Sequence, residues 1–151
     1  MDRISRALEL AKTGARPSAP RQARGRSLKF DYTQTRTISI PQHILTARRI
    51  IGGRLEPRVV DSYRLLRTRV LHRMRQNRWN TLGIVSAGPQ EGKTLTSINL
   101  GICIARDENH SVLLVDADLR RPAVCATLGI RCRHGLGDYL TKDIPLEDLF
   151  I

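Results

Sequence analysis

The sequence predicts an α/β fold in which a parallel sheet flanked by helices carries a phosphate-binding loop, behind a basic tail that does not fold. Three observations predict it. An apolar run, Thr81-Leu-Gly-Ile-Val85, leads into Ser86-Ala-Gly-Pro-Gln-Glu-Gly-Lys-Thr94, and a helix-like segment, Leu95–Ala105, follows at once. A second apolar run starts at Val112 and ends in two carboxylates, Asp116 and Asp118. Ahead of both, Pro57–Trp79 repeats apolar residues at helical spacing.

Strand, glycine-bearing loop, Gly-Lys-Thr and helix form the context of a P-loop. Backbone N–H groups of such a loop and the positive helix N-terminus face phosphates. Gly92 lets the backbone come close. Lys93 then reaches the β/γ-phosphates, and the Thr94 hydroxyl sits on Mg²⁺. The candidate cofactor contacts are Gly88, Pro89, Gln90, Glu91, Gly92, Lys93 and Thr94. The spacing departs from G-x-x-x-x-G-K-[ST], because Ala87 stands where the first glycine belongs and Gly88 comes one step later. Strands Leu82–Ala87 and Val112–Ala117 are the two strongly predicted. Alternation along the second puts Asp116 and Asp118 on one side. Ligands of open parallel sheets bind beyond the carboxyl ends of the strands, so both aspartates fall level with the loop, where Mg²⁺ needs oxygen ligands.

These two stretches resemble those of the bacterial tyrosine kinases, P-loop proteins that control exopolysaccharide synthesis and export. Ser86, Pro89, Glu91, Gly92, Lys93 and Thr94 match the form Ser-x-x-Pro-x-Glu-Gly-Lys-Ser/Thr, and Asp116, Asp118 and Arg120 match Asp-x-Asp-x-Arg. Related septum-placement and chromosome-partitioning ATPases carry a lysine early in the loop. Gly88 stands at that position here, which favours the kinase branch. The resemblance covers roughly residues 59–151. It implies a P-loop NTPase fold, ATP and Mg²⁺ as cofactors, and catalytic roles for Lys93, Asp116 and Asp118. Thr94, Asp116 and Asp118 would surround the metal, and Arg120 would join the nucleotide contacts. It also implies a membrane partner for polysaccharide chain length or export, homo-oligomers, and a cytoplasmic location peripheral to the inner membrane face.

The chain has 151 residues and a net charge of +12, room for one ordinary domain. A basic excess suits nucleic acid, anionic lipid or an acidic partner, but aromatics at 4% supply few base-stacking platforms, so no specific nucleic acid is expected. Cys103, Cys125 and Cys132 fit no zinc spacing and read as free thiols of a reducing compartment. No apolar run approaches the roughly 20 residues of a membrane span, and the polar start is no secretory signal.

Residues 1–58 read as a terminal helix, a basic linker and an extension. Met1–Lys12 is a short amphipathic helix capped by Asp2, with Ile4, Ala7, Leu8 and Ala11 on one face. It is either a frayed terminus or a docking helix for a partner or membrane surface. Thr13–Ser27, rich in Arg, Pro, Ser and Gly, cannot bury enough apolar surface to fold. Its arginines suit a solvated tail or a weak contact with anionic lipid. Thr35–Ile40 alternates like an edge strand and ends at Pro41. Gln42–Ile51 reads as a short helix closed by Gly52-Gly53, with no chemistry in it and His43 at the surface.

Residues 59–151 form the partial kinase or ATPase domain. In the helix Pro57–Trp79, Pro57 suits the first turn, and Val59, Tyr63, Leu66, Val70 and Met74 make one apolar face. Asp61, Arg64 and Arg67 resemble the Glu-x-x-Arg-x-x-Arg motif through which these kinases form rings, with Asp in place of Glu. Without rings, Asp61 and Arg64 make an ordinary i,i+3 pair. Beyond the second motif, Ala123–Leu128 is a helical turn or two, Gly129–Gly137 a glycine-rich loop, and Asp138-Tyr-Leu140 the start of another short helix. The Cys132/His134 pair lacks further ligands for a metal.

The family's third acidic motif and C-terminal tyrosine cluster have no counterpart, and the tyrosines present are Tyr32, Tyr63 and Tyr139. The sequence therefore reads as an incomplete domain, the N-terminal part of a larger protein or a truncated product. Three functions are carried forward: an ATP-dependent tyrosine (auto)kinase, a partitioning-type ATPase switch, and a non-catalytic binding module.

Overall fold

The computed structural model describes residues 37–151. The helix expected at Met1–Lys12, the linker Thr13–Ser27, Tyr32 and the start of the alternating stretch at Thr35 lie outside the described residues.

The described residues form α1 (Gln42–Ala47), α2 (Pro57–Asn77), α3 (Lys93–Ala105), α4 (Val124–Leu128), α5 (Leu136–Thr141) and a 3₁₀ turn (Leu146–Leu149). The centre is α3. Its sequence is apolar nearly all round, as a buried helix requires, and Ile98, Asn99, Leu100 and Cys103 are its buried residues. Helices α2 and α4 both pack on it.

The chain enters α2 at Pro57 and leaves at Arg78, which is left-handed at φ 56°. The Trp79 N–H returns to the Met74 carbonyl at 2.9 Å and ends the helix there. The half-buried side of α2 carries Val60, Tyr63, Arg67, Val70, Leu71 and Met74, while Val59 and Leu66 are exposed. The inward stripe is thus rotated from the one periodicity suggests. Arg67 takes a central place in it because its guanidinium donates to the Cys103 carbonyl of α3 at 3.3 Å.

Residues 42–54 make a tight corner against α3. Helix α1 stops after Ala47, earlier than expected, and the Ile50 N–H turns back to the Leu45 carbonyl at 2.8 Å. Ile50 is 0% and Ile51 3% exposed, so the pair belongs to the core and not to a surface helix. A Cβ at Gly53 would come within 2.5 Å of the Thr46 backbone nitrogen, so that position requires glycine. Gly129, left-handed at φ 69°, ends α4 and lies against Ile44 of the corner.

The expected sheet is the main correction. Among the described residues there is no strand, only an isolated bridge between Ile51 and Gly53. Leu82–Ala87, Val112–Ala117 and 37–40 are not helical, but no backbone ladder joins them. A parallel strand needs an aligned partner for its N–H and C=O groups and cover on both faces. Neither run has that here. Val85 stands 88% and Leu113 69% exposed. The described residues are therefore helical, and no sheet is formed among them.

Asn99 ties the corner to α3. Its Oδ1 accepts the Ile51 N–H at 2.8 Å and its Nδ2 donates to the Arg49 carbonyl at 3.1 Å. The side chain is 1% exposed. An Asn99→Leu substitution leaves the Ile51 N–H unpaired in the core, at a cost of about 1–3 kcal/mol. Urea denaturation is expected to show a midpoint lowered accordingly.

Candidate functional site

The loop expected to hold phosphate sits at the N-terminus of α3. Gly92 is the helix N-cap in left-handed backbone, φ 89° and ψ 10°, and Gln90 is also left-handed at φ 61°. Two left-handed residues flanking Glu91 give the alternating backbone from which anion-binding concavities are made. No side chain caps the N-terminus of α3. Its first N–H groups and the positive end of its dipole are thus available to an anion.

Inside the loop, Ser86 Oγ donates to the Gly88 carbonyl at 2.9 Å, and Lys93 Nζ donates to the same oxygen at 3.4 Å. Lys93 is folded back across its own loop. The Glu91 carboxylate is exposed beside Gly88. The Gly88 amide, then the Ser86 hydroxyl and the Ala87 amide, hold its carboxyl below the usual glutamate range, helped by the Lys93 charge. Its Oε1 lies 3.1 Å from where a Gly88 Cβ would be, so a side chain at 88 crowds it.

A cavity of about 370 Å³ opens beside the loop, within the size range of ligand pockets. Gly92, Lys93 and Thr94 line it, together with Arg48 and Arg49 of the corner and Thr127 of α4. Gln90 also lines it, whereas Gly88, Pro89, Glu91, Asp116, Asp118 and Arg120 do not. The arginine wall is the part sequence reading missed. The doublet Arg48-Arg49 carries no motif, and only the burial of the adjoining Ile50-Ile51 could have hinted that the segment turns inward.

Asp116 and Asp118 are organised by the turn that follows them. Asp116 Oδ1 accepts the Asp118 N–H at 3.2 Å. Its Oδ2 accepts the N–H groups of Ala123 and Val124 at 2.8 and 2.9 Å. These bonds fold the second motif back onto the start of α4, so Asp116 is oriented by the turn and not by strand alternation. Asp118 is exposed, and its Oδ1 accepts the Arg121 N–H at 3.0 Å. Arg120 is exposed. No cluster of three or more His, Cys, Asp or Glu residues among the described residues can hold a metal alone. Of the oxygen donors expected to hold Mg²⁺, Thr94 lines the cavity and Asp118 is exposed outside it, while both Asp116 oxygens accept backbone N–H groups.

The residues of the expected ring motif separate. Asp61 and Arg64 pair with each other at 3.0 Å on the exposed face of α2, a surface contact of little energy. Arg67 is turned inward to α3. The reading of three free thiols also changes. Cys125 and Cys132 form a disulfide with a Cα–Cα distance of 6.2 Å, and Cys103 is the free, buried cysteine. The return of the chain through Gly129 brings the two together, which a spacing of seven residues does not announce. In α5, Asp138 accepts the Gly135 N–H at 3.0 Å and pairs with Lys142. That Lys142 bond, then the Gly135 amide, hold its carboxyl below the ordinary aspartate range.

The chain is 35% identical over 94 residues to tyrosine-protein kinase YwqD of Bacillus subtilis (strain 168), covering 61% of this chain and 39% of that protein. It is 38% identical over 81 residues to tyrosine-protein kinase etk of Escherichia coli (strain K12), covering 54% of this chain and 11% of that one. Tyrosine-protein kinase ptk of Acinetobacter johnsonii is 31% identical over 88 residues, 58% of this chain and 12% of its own length. The chain therefore spans about two fifths of the first relative and little more than a tenth of the others. No family model and no solved structure matches it. The resemblance to bacterial tyrosine kinases read from the two motifs is borne out by these relatives.

Two outcomes test the geometry. Because the folded-state pKa of Glu91 is depressed, its contribution to the loop is present above the unfolded pKa and lost as pH falls through the folded one. The Ala87 and Gly88 amide resonances are expected to titrate with a midpoint below the usual glutamate range, and Glu91→Gln to abolish that titration. Asp116→Ala removes three backbone partners and is expected to cost about 1.5–3 kcal/mol in urea denaturation. Asp118→Ala, exposed and with a single amide partner, costs less than about 1 kcal/mol.

Proposed function

We propose that this chain carries the nucleotide-binding part of an ATP-dependent protein tyrosine kinase that regulates exopolysaccharide synthesis and export. The observation that carries the reading is Lys93 following left-handed Gly92 at an uncapped helix N-terminus, beside a cavity. The named kinases at 31–38% identity favour this chemistry over a partitioning switch.

In this reading the loop amides and Lys93 bind the triphosphate. When bound, Mg²⁺ supplies charge neutralisation on the transferring phosphoryl group, held by Thr94 and Asp118. Phosphoryl transfer asks the protein mainly for positioning and charge stabilisation. Lys93 meets that need once its weak bond to the Gly88 carbonyl is exchanged for phosphate oxygens. Asp118, exposed beyond the turn, orients and accepts the proton of the attacking tyrosine hydroxyl. Asp116 keeps the turn in shape. Arg120, two residues beyond Asp118, reaches the nucleotide from outside the cavity.

The same reading extends to partners. Asp61 and Arg64 are exposed on α2 and pair only with each other in the described residues. Either can exchange that bond for one with a neighbouring subunit, which makes them the ring-forming pair, with Arg67 as the internal anchor. A membrane protein of polysaccharide chain length or export is the proposed partner, at the cytoplasmic face of the inner membrane. No helix among the described residues is long and apolar enough to cross a membrane.

Isothermal titration with Mg-ATP tests the core of this. Lys93→Met is expected to abolish binding, whereas Asp118→Asn keeps affinity within about threefold and loses phosphotransfer by a factor of about 100 or more in the intact protein. Unchanged affinity in the lysine variant would remove the phosphate-loop reading.

A further inference from the structure

The corner at residues 48–49 has an unusual construction. Arg49 adopts left-handed backbone at φ 56°, a conformation uncommon for a residue with a Cβ. Such strain persists where the surroundings over-determine it. Here they do. The Arg49 carbonyl is held by Asn99, the Ile50 side chain is fully buried next to it, and the Ile51 N–H is held by the same asparagine. The Arg49 N–H is tied to the Thr46 carbonyl at 3.2 Å and the Arg48 N–H to Ile44 at 2.9 Å. The backbone that carries both arginines is fixed, yet their side chains are exposed and neither pairs with a carboxylate among the described residues. Both line the cavity that Lys93 and Thr94 also line.

Three cations around about 370 Å³ repel one another unless an anion lies between them. Guanidinium groups suit phosphate because their planar fork gives paired N–H donors to its oxygens. We infer that Arg48 and Arg49 are phosphate-contacting residues, which grip the polyphosphate of the nucleotide in the cavity together with Lys93. The inference rests on the nucleotide reading above and deepens it. The phosphate site is built from two segments some forty residues apart, with Asn99 setting the distance between them, and the corner counts as part of the active site although it precedes the loop. With the backbone already fixed, only the arginine side chains remain to be ordered when a ligand is gripped.

The test uses the full chain and two probes, Mg-ATP and inorganic triphosphate, titrated into wild type, Arg48→Gln/Arg49→Gln, Lys93→Met and a charge control, Arg69→Gln/Arg73→Gln on the exposed side of α2. The corner variant is expected to lose about tenfold or more in affinity for both probes, with a shallower salt dependence, while the control loses less than about threefold. Unchanged affinity in the corner variant, alongside loss in Lys93→Met, overturns the inference and leaves the loop reading standing. Equal losses in corner and control variants also overturn it, since net charge then explains the effect. A wild-type chain that binds neither probe removes the loop reading and the inference together. Circular dichroism and thermal melts of each variant separate lost binding from lost fold.

Discussion

One buried amide holds the site together. Asn99 sits in the middle of α3, among Ile98, Leu100 and Cys103, and spends both ends of its side chain on the backbone of the corner. A polar group this deep costs free energy unless its bonds are made. Once they are made, it specifies one position of the corner and no other, which apolar packing alone does less well. Because the loop Ser86–Thr94 opens the same helix, the corner and the loop become parts of one rigid object.

The rest of the site repeats this economy of polar contacts. Arg67 crosses from α2 to a carbonyl of α3, Asp116 gathers the amides at the start of α4, and Glu91 gathers those of the loop. Each is a charged group whose charge is consumed by backbone. At the cavity, by contrast, Arg48 and Arg49 have no carboxylate partner among the described residues, and Lys93 is held only by the Gly88 carbonyl at 3.4 Å. Carboxylates satisfied by several N–H groups act as scaffolding.

The two apolar runs mark where the described residues do not complete the expected architecture. Val85 and Leu113 are side chains that a parallel sheet would cover on both faces, and they stand in solvent. Loop, α3 and α4 are nonetheless formed, because their bonds are local to α3, the loop and the corner. Stability here is therefore distributed unevenly, high around Ile50, Asn99 and Leu100 and low along Leu82–Ala87 and Val112–Ala117.

The sequence by itself determined what depends on near neighbours in the chain. The helix opening at Pro57, the glycine-bearing loop from Ser86 to Thr94 and the helix behind it are set by residue types within a turn or two of each other, and all were legible. So was the kinship with tyrosine kinases, since it rests on two short motifs. Tertiary structure alone decided the rest. That the two runs would lack a ladder depends on what is available to pair with them. The inward turn of Arg67 and the rotated stripe of α2 depend on a carbonyl thirty-six residues away. The Cys125–Cys132 bond depends on a chain reversal at Gly129. The arginine wall depends on Asn99, fifty residues beyond Arg49. Periodicity and motif report the local backbone; which distant group a side chain meets is settled only when burial makes an unpaired polar atom too costly to leave.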